Sequence, residues 1–203
     1  MKKLALTFLI LVLVSGCSNP FSIRMCADYF PLQVGNKWVY NVGGEASFKA
    51  EIEVMSYDTL YTVAVGGEEM LIERGAGEVN IVHELTTTYL GEKVSFGIIH
   101  EPYLSLPFIE NDNWERVFKT STVYRGDTVR KSLFISVDSV TITTLTVPSG
   151  KFNEVYRIRR TRIEDEDSLI SYEWYAPNVG LIRKETLLDS VTWELEDFTP
   201  HEE

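Results

Sequence analysis

Four arginines crowd one short stretch of an otherwise acidic chain: Arg157, Arg159, Arg160 and Arg162. Guanidinium groups grip carboxylate and phosphate oxygens through paired hydrogen bonds, so this stretch is the candidate ligand-binding element. Alternation along a strand puts Arg157 and Arg159 on one face, and Arg160 and Arg162 on the other with Tyr156 and Ile158. The competing role is structural. In a hairpin centred near Glu166, Arg159 falls about opposite Glu173, and cross-strand ion pairs of that kind mainly fix register. The other candidates for chemistry are thinner. His83, His100 and His201 are the three histidines, and none has a cysteine or second histidine at metal-ligand spacing. No Gly-x-Ser-x-Gly turn accompanies them, so the sequence offers no nucleophile elbow to a serine-type triad. The acidic run 164–167 lacks the alternating ligands, central glycine and closing glutamate of a calcium loop. It reads as a solvated hairpin turn. Arg125-Gly126-Asp127 matches the integrin tripeptide, yet glycine and aspartate are also what a tight turn wants. The expectation is a protein that is not an enzyme and has no catalytic residue, metal or cofactor.

The elements that carry these residues are strands. Phe48, Ala50, Ile52 and Val54 alternate with Lys49, Glu51 and Glu53, which gives one apolar face. Residues 60–65 and 68–73 flank Gly66-Gly67, a two-residue hairpin signal because both glycines accept positive φ. Residues 114–124 and 128–137 flank Arg125-Gly126-Asp127, and 154–163 and 169–175 flank the acidic turn. Residues 140–147, 181–188 and 191–197 complete about ten strands. Closely spaced strands with polar or glycine turns predict an all-β fold, an antiparallel sandwich or barrel. No 3.6-residue stripe is sustained, so at most one short helix is expected, between Thr86 and Leu106. Pro31-Leu32 precedes Trp38 by the same offset as Pro107-Phe108 precedes Trp114. The match suggests a duplicated half, each copy entering a strand at its tryptophan.

The first residues describe how the chain is delivered. Lys2 and Lys3 precede an eleven-residue apolar run, 4–14, about half of what a helix needs to cross a bilayer. Val14-Ser15-Gly16-Cys17 closes it. A basic start, a short apolar core and small residues before a cut mark a segment removed after export. The cysteine after Ser15-Gly16 resembles the lipobox of bacterial lipoproteins. That resemblance implies cleavage before Cys17, a diacylglycerol on its thiol and acylation of the new amino group. Each buried methylene contributes about 0.8 kcal/mol, so two or three chains anchor stably. The domains read as a signal peptide 1–16, a lipidated tether 17–28 and a single β domain 29–203. An extended tether reaches about 35–40 Å at most. Ser18 after the lipidated cysteine resembles an outer-membrane sorting signal, which favours the outer membrane, facing the periplasm, over the plasma membrane. Removing the first 16 of 203 residues leaves 187, with 17 basic against 30 acidic side chains. A net charge of −13 repels nucleic acid and anionic lipid, so attachment falls to the acyl chains. Cys17 and Cys26 are the two cysteines, and with Cys17 lipidated no intramolecular disulfide remains.

Three stretches carry a wider resemblance. They are Tyr29-Phe30-Pro31-Leu32 with Gly35, Trp38 and Tyr40; Val147-Pro148-Ser149-Gly150-Lys151-Phe152 with Tyr156; and Tyr175-Ala176-Pro177-Asn178-Val179-Gly180-Leu181-Ile182. Together they resemble a group of exported bacterial proteins and lipoproteins similar to LolA/LppX-like β-half-barrels, which carry lipids or lipoproteins across the envelope. The resemblance implies a strongly curved antiparallel sheet with an apolar concave face, as an open barrel or half-barrel. It brings no catalytic residues. Physically the motifs read as corners, with Pro148, Gly150, Pro177 and Gly180 ending strands and turning the chain.

The functional expectation is a membrane-anchored envelope lipoprotein acting as a binding or scaffold module. Its partners would be the membrane through Cys17, and a hydrophobic ligand or a lipidated envelope protein, not nucleic acid. The alternatives are an assembly subunit that binds by its sheet rim and, further off, a hydrolase. Ten one-faced strands also leave few elements to cover the sheet. Either it closes around its own aromatics or it keeps a cavity.

Overall fold

The computed structural model describes residues 27–44 and 47–201, and every regular element in them is a strand. The first six are β1 (Lys37–Gly43), β2 (Phe48–Tyr57), β3 (Tyr61–Val65), β4 (Glu68–Arg74), β5 (Glu78–Tyr89) and β6 (Glu92–Ser105). The second six are β7 (Trp114–Tyr124), β8 (Asp127–Val147), β9 (Gly150–Glu164), β10 (Asp167–Ala176), β11 (Gly180–Thr186) and β12 (Thr192–Thr199). Every strand pairs antiparallel with its neighbours in sequence except β6 with β7, and β1 also pairs with β12. The chain is therefore an up-and-down meander bent into a nearly closed barrel, hydrogen-bonded around the ring except between β6 and β7.

That gap is closed by side chains. The connection between β6 and β7 turns Phe108 inward, where its ring meets Tyr29 at 5.5 Å and Tyr156 and Tyr175 at 5.3 Å. Along the outside, Glu92 of β6 receives Arg125 and the Tyr124 hydroxyl, and Tyr89 donates to Asp127 at 3.2 Å. Burial is what selects a strand of this kind. Trp38, Tyr40 and Val42 on β1 point in and alternate with half-exposed residues, which is the period-two pattern.

The expected hairpins form where glycine or a short polar pair permits positive φ. Gly66 and Gly67 join β3 to β4 with φ of 59° and 91°. Arg125 and Gly126 do the same between β7 and β8 with 53° and 93°, so the integrin-like tripeptide lies in a tight turn. The fold has twelve strands in place of about ten. Residues 128–137 and 140–147 form one strand, β8, with a register shift between Asp138 and Thr141, where the break was expected, and another between Thr143 and Leu145. No helix forms between Thr86 and Leu106: β5 and β6 occupy that stretch, turning at Leu90-Gly91. The reason lies in two register shifts along β5, between Val79 and Asn80 and between Glu84 and Thr86, which break the alternation. Trp38 and Trp114 do enter strands, near the starts of the two six-strand runs. The signal peptide, Cys17 and Cys26 lie outside the described residues.

Candidate functional site

One end of the barrel interior is capped by the segment before β1. Tyr29 is buried, its ring edge-on to Tyr156 at 5.1 Å. Asp28 and Asn178 exchange hydrogen bonds at 2.7 and 3.0 Å, and the Trp38 indole donates to the Val179 carbonyl at 2.7 Å. Gly180, with φ of 89°, lies so close to Pro31 that a Cβ there would stand 3.2 Å from the proline ring. Ser149 donates to the Leu195 carbonyl at 3.0 Å. The three sequence motifs are thus pieces of one assembly: the first lies on the corner of the third, and the second supplies Tyr156 beneath.

Under this cap the sheet leaves a cavity of about 210 Å³. Phe30, Pro31 and Leu32 cover it, and Trp38, Tyr40, Ile52, Val63, Met70 and Ile72 form its walls. Among the described residues lining it, Lys184 carries the one charged side chain. Its position follows from a register shift. Trp174 pairs with Arg183, yet Tyr175 pairs with Leu181, so Leu181 and Lys184, three apart, both face the interior.

Behind Lys184 is a buried charge cluster. Glu173 of β10 is fully buried and accepts hydrogen bonds from the Tyr175 hydroxyl at 2.7 Å and the Ser171 hydroxyl at 3.1 Å. Arg160 Nε lies 3.4 Å from its Oε1, and Lys184 Nζ 3.6 Å from the same oxygen. Burial alone would raise the Glu173 carboxyl, but the charges of Arg160 and Lys184 hold it down at about 2. Burial would likewise lower the Lys184 ammonium, and Glu173 reverses this to a net rise. Burial, with Glu173 nearby, raises the Tyr103 and Tyr175 hydroxyls, so both stay neutral. Two cations therefore share one carboxylate at the cavity wall.

A second network runs beside it. Glu101 of β6 takes His83 Nε2 at 2.9 Å and Arg162 Nε at 2.9 Å. Arg162 also pairs with Glu164 at 2.6 Å, and Lys131 with Glu164 at 2.6 Å and Asp165 at 2.9 Å. Burial would raise the Glu101 carboxyl; the His83 hydrogen bond and Arg162 hold it at about 2. The Glu101 hydrogen bond raises the His83 imidazole in turn.

The four arginines divide between the two faces as their alternation requires. Arg160 and Arg162 point inward, and Arg160 also donates to the Tyr103 carbonyl and lies over the Tyr103 ring at 4.1 Å. Arg157 stacks outside on Tyr172 at 4.2 Å and Arg159 pairs with Asp138 at 2.9 Å. The β9–β10 turn pairs Tyr172 with Arg159 and Glu173 with Ile158, one residue from the anticipated register. His100 bonds Glu73 at 2.8 Å, and the His201 backbone N–H donates to Asn36. No group of three or more His, Cys, Asp or Glu among the described residues could hold a metal ion. Sequence reasoning passed over Lys184, hidden by the register shift. It treated Glu173 only as a partner for Arg159, although alternation with Tyr175 places it inside.

No family model matches the chain, and no curated protein matches it. Two solved structures are similar. One is a candidate exported protein with a YmcC-like fold from Bacteroides fragilis, 16% identical, covering 86% of this chain and 100% of its own, with a TM-score of 0.49. The other is a candidate lipoprotein from Parabacteroides distasonis, 16% identical, covering 86% of this chain and 99% of its own, with a TM-score of 0.48.

Proposed function

We propose that the protein is a lipid-anchored envelope module, held to the outer membrane by Cys17, that binds a hydrophobic ligand inside its barrel without catalysing a reaction. The observation that carries this reading is the apolar cavity of about 210 Å³ under the 27–32 cap. Packed interiors leave few voids larger than a water molecule. An apolar cavity of about 150 Å³ is already enough to take up benzene. The lipobox-like Val14-Ser15-Gly16-Cys17 supports the anchor, and the half-barrel resemblance points to the same kind of occupant. The test is native mass spectrometry of residues 17–203 carrying Cys17→Ser, purified from cells without detergent. A co-purified apolar compound at one per chain is the expected result; an apo mass with no uptake of added lipid contradicts it.

The rim-binding assembly subunit has its own supporting observation. β6 and β7 are the sheet edges, and Ile98, Val117 and Val123 on them are more than half exposed. An edge of this kind can accept a partner strand. On that reading a pull-down of envelope proteins would depend on Val117 and Val123 and be indifferent to residues lining the cavity.

A further inference from the structure

We infer that the occupant of the cavity is a single-chain amphiphile with an anionic head group, its carboxylate paired with the ammonium of Lys184. The inference rests on the cavity being a ligand site, as proposed above, and adds which ligand it takes.

Three observations lead there. The first is size. If about 150 Å³ takes the six carbons of benzene, 210 Å³ takes a chain of roughly eight carbons. Sites for drug-sized ligands run from about 300 Å³ upward, so a two-chain phospholipid is too large.

The second is charge at the wall. Arg160 and Lys184 are both cationic, Glu173 is the one anion they share, and the tyrosines beside them are neutral. Glu101, the carboxylate of the neighbouring network, is already held by Arg162 and His83. A buried surplus of positive charge is costly unless an anion answers it. A carboxylate entering the cavity would supply that anion; a neutral or cationic head group would not.

The third is unspent hydrogen-bonding capacity. An ammonium has three donors, and the Glu173 oxygen stands 3.6 Å from Lys184 Nζ, a long contact. Glu173 meanwhile accepts from Tyr175 and Ser171, so it does not depend on Lys184 alone. The Lys184 side chain is 29% exposed, whereas Glu173 behind it is 0%. Lys184 lines the cavity, so its ammonium has room there for a second partner, and Tyr103 lines the same cavity.

The test uses probes that share a chain and differ at the head. Octanoate, octanol and octylammonium are titrated by calorimetry into residues 17–203 carrying Cys17→Ser, and octanoate and octanol into the same chain with Lys184→Met. Octanoate should bind at one per chain, at least tenfold more tightly than octanol, with octylammonium weakest. Lys184→Met keeps the length of the stem and removes the charge. It should cost octanoate tenfold or more and leave octanol unchanged or tighter. Octanol binding as tightly as octanoate to the unsubstituted lysine overturns the head-group assignment while the hydrophobic-ligand reading stands, whether or not the variant folds. Undiminished octanoate binding by Lys184→Met does the same. Failure of both probes to bind removes the ligand site itself and the inference with it.

Discussion

Lys184 Nζ and Glu173 Oε1 stand 3.6 Å apart across the β10–β11 ladder, one side chain lining an apolar cavity and the other fully buried behind it. A buried carboxylate is tolerated only where cations and hydrogen bonds replace water. Here Arg160, Lys184, Ser171 and Tyr175 do so together. Glu173→Gln leaves both cations facing a neutral amide. The expected loss is about 3–5 kcal/mol of folding stability, measured by urea denaturation. A loss below about 1 kcal/mol would mean that Glu173 is not what holds Arg160 and Lys184 in place.

The same carboxylates set the acid limit of the fold. Glu173 and Glu101 titrate near 2 when folded, against 4.5 for an ordinary glutamate. The unfolded chain therefore takes up protons first as pH falls. The stabilisation is complete above about pH 4.5 and is lost progressively toward pH 2, at up to about 1.4 kcal/mol per pH unit for each carboxylate. Melting temperatures measured from pH 6 down should hold steady and then fall below 4.5. Glu173→Gln, if folded, should make that fall shallower. An unchanged melting temperature down to about pH 3 would contradict the assignment.

Gly180 and Gly67 separate two costs of replacing a glycine. Both have positive φ, 89° and 91°, but a Cβ at Gly67 meets nothing within 4 Å, whereas at Gly180 it meets Pro31 at 3.2 Å. Left-handed backbone costs a side chain about 1–3 kcal/mol at either site. Gly180→Ala should cost more than Gly67→Ala, because it also pushes the cap off the β11 corner. Equal losses by thermal denaturation would show that the cap contact adds nothing.

At the N-terminus, Cys17→Ser should move the full chain from the detergent phase to the aqueous phase on phase partition. Wild type and variant partitioning alike would remove the lipid anchor from the account.

Much of the fold was legible because strands announce themselves by alternation. The Gly66-Gly67, Arg125-Gly126 and Asp165 turns all fall where the pattern placed them, at positive φ. Legibility failed where a register shift interrupts the period. β5 carries two such shifts and went unread, and with it β6, so a helix was allowed where strands stand. The site failed for the same cause. Alternation places Glu173 inside with Ser171 and Tyr175, but Lys184 faces the same interior as Leu181 only because the ladder slips between Trp174 and Tyr175. The arginines were conspicuous in sequence, yet two of them serve the outer face and two reach the interior. That the three motifs meet at Tyr29, Tyr156 and Gly180 was beyond periodicity, since it depends on contacts across as many as 150 residues.

The central claim is that the interior under the cap holds an apolar ligand. The most direct measurement is a calorimetric titration of octanoate, a probe of the size the cavity admits, into residues 17–203 carrying Cys17→Ser, repeated with Val63→Trp added to fill the cavity wall. The account predicts saturable binding at one probe per chain, lost in the tryptophan variant while its circular dichroism and melting transition persist. Binding that survives Val63→Trp undiminished, or no saturable binding to either chain, would contradict it.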